Sequence, residues 1–190
     1  VLLTTDISRL IELQQANLLQ PLNSDVVEKA IPSQYQADDN TWFGLTTRVR
    51  NIFSAKRLGD IDVSYEDLAD PKYKGKICTR SGKHPYNVAL VSAMIAEHGE
   101  AKTLEWLKGV KANLARKPQG NDRGQVQAIH QGLCDVSLGN SYYLGKMVND
   151  KEQKAWAEFQ FLKQSIVIHM EQLQKKNSCG TNIVPWVYLI

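Results

Sequence analysis

Apolar residues recur along the chain with two different periods, which predict helices and strands in alternation. Spacing near 3.6 residues predicts helices over residues 7–17, 88–98, 100–110 and 125–131. Short apolar or alternating runs predict strands over residues 1–4, 76–79 and 134–138, and either one long or two short strands over 42–54. Because strands and helices alternate, the sequence predicts an α/β layered fold with mostly parallel strands.

Two of the predicted strands run into loops of small polar residues that precede helices. Arg80, Ser81 and Gly82 follow the strand at 76–79, and Asn140 follows the strand at 134–138. In an open α/β sheet, ligands bind beyond the carboxyl ends of strands, where the next helix offers unpaired N–H groups that attract anions. These residues therefore predict an anion site, to which Arg48 and Arg50 could add charge. Small polar residues at a helix start are also ordinary caps, and the sequence leaves both interpretations open.

The second junction carries two adjacent tyrosines, Tyr142 and Tyr143. Adjacent residues at a helix start cannot both point into the core, so one buried and one surface ring is the simplest interpretation. The alternative is a pair of phenolate ligands. A phenol with a pKa near 10 ionises beside a trivalent cation, and hard anionic oxygens suit Fe(III). Tyr86, at the other junction, could supply a third phenolate, and a bound anion such as carbonate could complete the site.

The overall composition mainly excludes classes of protein. The 190 residues are 43% hydrophobic and 23% charged, enough for one sizeable core or two small lobes. The net charge is +3 without a block of basic residues, which argues against a nucleic-acid partner. No apolar run reaches the roughly 18 residues needed to span a membrane. The chain opens at Val1 without an initiator methionine or a signal peptide, so we expect it to be part of a longer protein.

Cysteines and histidines give weaker signals. Cys78 and Cys134 each lie in a short strand-like run, and spacing alone leaves a disulfide and two buried thiols equally open. Cys179 is the third cysteine, and no Cys-x-x-Cys motif predicts zinc. The four histidines lack ligand spacing, and no nucleophile or acid–base set converges in the sequence. We therefore expect that the protein is not an enzyme.

Several segments together resemble the ferric-iron-binding periplasmic proteins of iron ABC transporters. They are SYEDLADPKYKGKICTRSG at 64–82, Tyr86-Asn87, NLARKPQGNDR at 113–123 and GNSYY at 139–143. The resemblance implies a type II periplasmic-binding-protein fold, with two α/β lobes joined by crossing strands. It places a partial first lobe at 1–47, a crossing strand at 48–54, the second, iron-binding lobe at 55–150 and an atypical tail at 151–190.

The resemblance also implies roles for individual residues. Tyr86, Tyr142 and Tyr143 match iron ligands, while Arg48, Ser81, Gly82 and Asn140 match the anion side. Cys78 and Cys134 match a disulfide found in a subgroup of the family. The implied function is capture of ferric iron in the periplasm, with a synergistic anion, for delivery to an ABC permease in the inner membrane. A small-oxyanion-binding protein of the same fold is the alternative.

Three departures from the family pattern stand out. Family members begin before Val1, with a first-lobe strand that carries a further histidine or tyrosine ligand. Some members use a glutamate where this chain has Thr5 beside Asp6. The tail does not resemble the family's return strand and C-terminal helices, so we expect a truncated chain.

Overall fold

The computed structural model describes residues 1–4, 7–59, 61–151, 153, 159–161 and 187–188. Within these residues the chain forms two compact units, which divide between Arg48 and Val49. Thr5, Asp6, Cys179 and most of the predicted tail lie outside the described residues. The helices are α1 (Ile7–Gln15), α2 (Asp25–Ala30), α3 (Pro85–His98), α4 (Glu100–Ala112), α5 (Asp122–His130) and α6 (Tyr142–Asn149). The strands are β1 (Thr46–Thr47), β2 (Arg50–Ala55), β3 (Ile77–Cys78), β4 (Val136–Asn140), β5 (Phe159–Phe161) and β6 (Val187–Tyr188).

The first unit contains α1, α2, a 3-10 turn at Ser33–Tyr35 and β1, which pairs antiparallel with β6. An apolar cavity of about 760 Å³ in this unit is lined by side chains that include Leu10, Leu18 and Phe43. Residues 1–4 form no strand, and Val1, Leu2 and Leu3 are exposed. The predicted buried strand is therefore wrong. A short apolar run has strand character only where another strand lies beside it, and none does here among the described residues.

The second unit is built on a four-stranded sheet with the order β3-β4-β2-β5. β3 and β4 run parallel, whereas β2 runs antiparallel to both β4 and β5. The prediction of a mostly parallel sheet is therefore wrong for the described strands. The antiparallel register places Arg50, at the start of β2, opposite Asn140, at the end of β4. The start of β2 and the carboxyl ends of β3 and β4 thus share one edge of the sheet.

Helices cover both faces of this sheet. Because side chains alternate along a strand, Ile52 and Phe53 of β2 enter different cores. The first core takes Leu90 and Met94 from α3 and Trp106 and Val110 from α4. The second core takes Val126 and Ile129 from α5 and Met147 from α6. The unit is therefore a layered α/β structure, as the sequence predicts.

The start of α3 determines where Tyr86 lies. The helix begins at Pro85, three residues before the predicted start, because His84 caps it. The Nδ1 atom of His84 accepts a hydrogen bond from the Tyr86 amide at 3.2 Å. Proline suits the first helical position, since it has no N–H to satisfy. Tyr86 consequently lies in the first turn of α3, at the edge of the sheet just described.

No helix in the described part of the chain combines the length and apolar character needed to cross a bilayer.

Candidate metal and anion site

Parallel pairing of β3 and β4 brings the two predicted junctions side by side. Ile77 pairs with Val136 and Cys78 with Ser137, so both strands end at the same edge. Arg80, Ser81 and Gly82 follow β3, and Ser141 links β4 to α6. The position matches the crevice where open α/β sheets bind ligands.

A disulfide bond links Cys78 to Cys134, with their Cα atoms 5.9 Å apart. Both cysteines are buried in the second core. The bond joins the end of β3 to the segment that leads into β4 and so fixes these two strands against each other. The disulfide implied by the family resemblance is confirmed, and two free thiols are excluded.

Tyr142 and Tyr143 stack on each other at the start of α6. Their ring centroids are 4.4 Å apart and their planes are inclined by 29°. Both side chains are half-buried, rather than one in the core and one on the surface. Burial raises the pKa of the Tyr143 phenol well above its usual value. A hydrogen bond with Tyr142 and the nearby groups of Tyr142, Asp122 and Tyr86 raise this pKa further. The metal-free Tyr143 side chain is therefore a neutral phenol at neutral pH.

The Tyr86 phenol contributes to the raised pKa of Tyr143, so the two side chains lie within electrostatic range of each other. The guanidinium carbons of Arg50 and Arg80 lie 5.7 and 5.1 Å from the centre of the Tyr86 ring. The His84 ring meets it edge-on at 4.6 Å. Two cations beside a phenol favour its ionised form. The Tyr86 ring thus lies beside two guanidinium groups and one imidazole.

Asp122 connects β2, β4 and the loop after β3 through hydrogen bonds. Its Oδ2 atom accepts from Arg50 Nη1 at 2.5 Å and from the Asn140 amide at 3.0 Å. Its Oδ1 atom accepts from Arg80 Nη1 at 3.2 Å. The Asp122 side chain is fully buried, while those of Arg50 and Arg80 are 4% and 12% exposed. The two arginines and one carboxylate leave one positive charge uncompensated.

Arg50 makes further buried contacts that fix its orientation. It donates to Asn140 Oδ1 at 3.0 Å and to Asn87 Oδ1 at 2.8 Å. Asn87 in turn donates to the carbonyl oxygens of Arg80 and Ser81, at 3.0 and 3.2 Å. The loop after β3 is therefore attached to β2 through Asn87.

The residues predicted for the anion side have different environments. Asn140 is buried and binds Arg50 and Asp122, whereas Ser81 and Gly82 are exposed in the turn before α3. The Ser81 hydroxyl accepts from the Lys83 amide at 3.2 Å. Arg48 is the last residue of the first unit, and its part in the site stays a prediction.

Asp122 was missed as a site residue because it belongs to a polar stretch that predicts only a loop. It opens α5, and the preceding Asn121 caps this helix by accepting from the Gly124 amide at 2.9 Å. The Asn-Asp pair is a helix-start signal that would have placed Asp122 on an element. No group of three or more His, Cys, Asp or Glu side chains that could hold a metal occurs in the described residues.

Residues 5–178 match a family described as bacterial extracellular solute-binding protein. Iron uptake protein A1 of Synechocystis sp. is 41% identical over 162 residues, covering 83% of this chain and 45% of that protein. The major ferric iron-binding protein of Neisseria meningitidis is 31% identical over 161 residues, covering 80% of this chain and 46% of that protein. The chain spans less than half the length of these two relatives.

Solved structures agree with these matches. The apo ferric ion-binding protein A of Pasteurella haemolytica has 55% sequence identity and a TM-score of 0.80, covering 84% of this chain and 51% of that chain. The IdiA (FutA) protein of Trichodesmium, in complex with iron and citrate, has 32% identity and a TM-score of 0.78, covering 97% of this chain and 69% of that one. The type II periplasmic-binding-protein fold and the resemblance to ferric-iron-binding proteins are thereby confirmed. These relatives are named for iron uptake or for binding ferric iron.

Proposed function

We propose that this chain, which belongs to the bacterial extracellular solute-binding protein family, carries the ferric-iron-binding lobe of an iron-transport protein. In this proposal Tyr86, Tyr142 and Tyr143 bind the metal as phenolates. Residues 55–150 form the second lobe, 48–54 cross between the lobes, and 1–47 belong to the first lobe. Residues 151–190 form the atypical tail.

The stacking of Tyr142 on Tyr143 is the observation that carries the proposal, and the electrostatic effect of Tyr86 on Tyr143 supports a third ligand from α3. Packing alone gives no reason to gather three hydroxyl-bearing rings at a ligand-binding edge. Hard phenolate oxygens favour Fe(III) over soft or borderline metals, and three of them balance its charge. The raised pKa of Tyr143 is no obstacle, because a bound trivalent cation favours the ionised form much more strongly.

An accompanying anion would complete the coordination of the metal. The excess positive charge of Arg50 and Arg80 over Asp122 supports an anion beside the tyrosines. In our proposal Ser81, Gly82 and Asn140 also face this anion, together with Arg48. Carbonate is one candidate, and citrate accompanies iron in the Trichodesmium structure.

The proposed transport role follows from the relatives. Proteins named for iron uptake and ferric iron binding match most of this chain. We infer that the protein works in the periplasm and delivers iron to an ABC permease in the inner membrane. The alternative is a protein of the same fold that binds a small oxyanion. The uncompensated positive charge near Tyr86 is the feature that favours this alternative.

A visible absorption titration with ferric citrate, with and without bicarbonate, tests the ligand set. A saturable phenolate-to-iron charge-transfer band at one iron per chain is the expected result. Tyr142→Phe and Tyr143→Phe should each weaken the band, and the double variant should lose it. Tyr73→Phe is the matched control, because Tyr73 is buried in the first core before β3 begins. A full band in the double variant would refute the assignment, and binding of bicarbonate without metal would favour the oxyanion alternative.

A further inference from the structure

We propose that Asp122 limits the uncompensated positive charge beneath the three tyrosines to one, and so sets how strongly metal binding depends on an accompanying anion. This inference rests on the proposed function. It concerns a residue that contacts neither metal nor anion in our proposal, and that acts through Arg50 and Arg80.

The first argument is the position of Asp122. Its carboxylate accepts hydrogen bonds from side chains or amides at the start of β2, after β3 and at the end of β4. The fully buried side chain reaches these three places from the first turn of α5. A helix start also stabilises a carboxylate through the helix dipole. The Asp122 carboxylate therefore lies at the centre of the edge that carries the site.

The second argument is that the two arginines differ in how fully they are satisfied. Arg50 Nη atoms bond to Asp122, Asn140 and Asn87. Arg80 has a single hydrogen bond to a side chain in the described structure, to Asp122. The Nε atoms of both arginines are buried and have no hydrogen-bond partner among the described residues. Buried cationic donors that lack partners favour an anion beside them.

The third argument is the charge of the loaded site. Three phenolates neutralise Fe(III), so the net charge of the arginines and Asp122 remains at plus one. One negative charge on a bound anion would complete the balance. Lys146 lies 5.4 Å from the Tyr142 ring, but it is exposed, and solvent screens its charge. Within the buried trio, Arg50 and Arg80 lie beside the Tyr86 ring, and Asp122 acts electrostatically on Tyr143.

Charge variants test this inference directly. Asp122→Asn keeps the shape of the side chain and raises the buried charge to plus two. Its affinity for iron, titrated as ferric nitrilotriacetate in bicarbonate-free buffer, should fall by about tenfold or more, because like charges repel strongly in a buried site. Added bicarbonate should restore much of the loss. Arg80→Gln lowers the buried charge to zero and should reduce the effect of bicarbonate.

The double variant Arg80→Gln/Asp122→Asn returns the buried charge to plus one. It should recover the wild-type dependence on bicarbonate, which a merely structural role for Asp122 would not produce. Asp135→Asn is the matched control, because Asp135 pairs with Arg57 before β4 begins and changes the chain's charge equally.

The possible results distinguish failure of this inference from failure of the proposed function. Unchanged iron binding in Asp122→Asn, or a double variant that stays as impaired as the single one, would overturn the inference. If Asp122→Asn does not fold, Arg80→Gln decides, and an unaltered bicarbonate effect in that variant overturns the inference. Absence of a charge-transfer band in the wild-type chain would instead refute the proposed function itself.

Discussion

The hydroxyl of Tyr65 donates a hydrogen bond to the carbonyl oxygen of Arg50, with an oxygen–oxygen distance of 2.7 Å. Tyr65 belongs to the first core, and Arg50 begins the strand that reaches the candidate site. Trp106 of α4 donates to the Tyr65 carbonyl in turn. The Tyr65 hydroxyl therefore links the first core to the backbone of the buried Arg50.

Tyr65→Phe should destabilise the chain through loss of this bond. The buried Arg50 carbonyl oxygen would lose the hydroxyl that donates to it, which costs about 1–3 kcal/mol. Urea unfolding followed by circular dichroism should show the loss in the free energy of unfolding. Tyr73→Phe is the control and should change it less, because Tyr73 retains its core contacts and no hydrogen bond of its hydroxyl is seen in the described structure. Equal effects of the two substitutions would contradict this account.

Stability should fall above pH 10 in the metal-free chain. Burial raises the pKa of the Tyr65 phenol above its usual value near 10. Unfolded chains then lose protons that the folded chain retains, so the stabilisation is complete below pH 10 and declines as pH rises further. The slope is about 1.4 kcal/mol per pH unit for one such phenol. Urea unfolding at several alkaline pH values measures it, and Tyr65→Phe should make it shallower.

Iron binding should release protons. Because the raised pKa of Tyr143 keeps its phenol neutral at neutral pH, binding as a phenolate displaces that proton. Apparent iron affinity should therefore rise with pH, with up to about three protons released per metal ion for three phenols. Proton release into weakly buffered solution during iron titration measures the number. Tyr143→Phe should lower it by about one, and an unchanged number would contradict ligation by Tyr143.

Gly139→Ala should disturb the approach to the tyrosine pair. A Cβ atom at Gly139 would overlap the Phe53 ring, which packs against this glycine in the second unit. Overpacking of this kind costs about 1–3 kcal/mol. Thermal unfolding checks the loss, and the iron band of Gly139→Ala should weaken because Asn140 follows directly and Tyr142 lies three residues after Gly139. Gly145→Ala in α6 is the control, since its Cβ would meet no atom nearby. It should be neutral or slightly stabilising.

Local signals explain what the sequence could predict. Short segments of sequence are enough to identify the tyrosine pair, the serine and glycine of the first junction and the helix bodies. The start of α3 was predicted three residues late, because His84 is an unusual cap and Pro85 was not used as a start signal. The cysteine pairing required a family resemblance, since 56 positions separate the two residues.

The charged network under the tyrosines could not be predicted from local patterns. Arg50 and Asp122 are 72 positions apart and meet only because β2 runs antiparallel to β4. Strand direction depends on how the chain enters the sheet, and apolar periodicity carries no information about it. The same limitation explains the incorrect expectation of a mostly parallel sheet. Arg80, by contrast, was identified because it directly follows a strand.

The mutual dependence of Arg50, Arg80 and Asp122 also constrains how the chain can change over time. Each member neutralises or fixes another in a place from which solvent is excluded. Loss of Asp122 leaves two buried guanidinium charges without their carboxylate, a defect that costs about 3–5 kcal/mol, and the free energy of unfolding of a small domain is of similar size. Loss of either arginine instead leaves Asp122 paired with the other and changes the buried net charge. We therefore expect substitutions at these three positions to be correlated in related lineages. A lineage that loses one member should pass through a stage supported by a compensating change at a second.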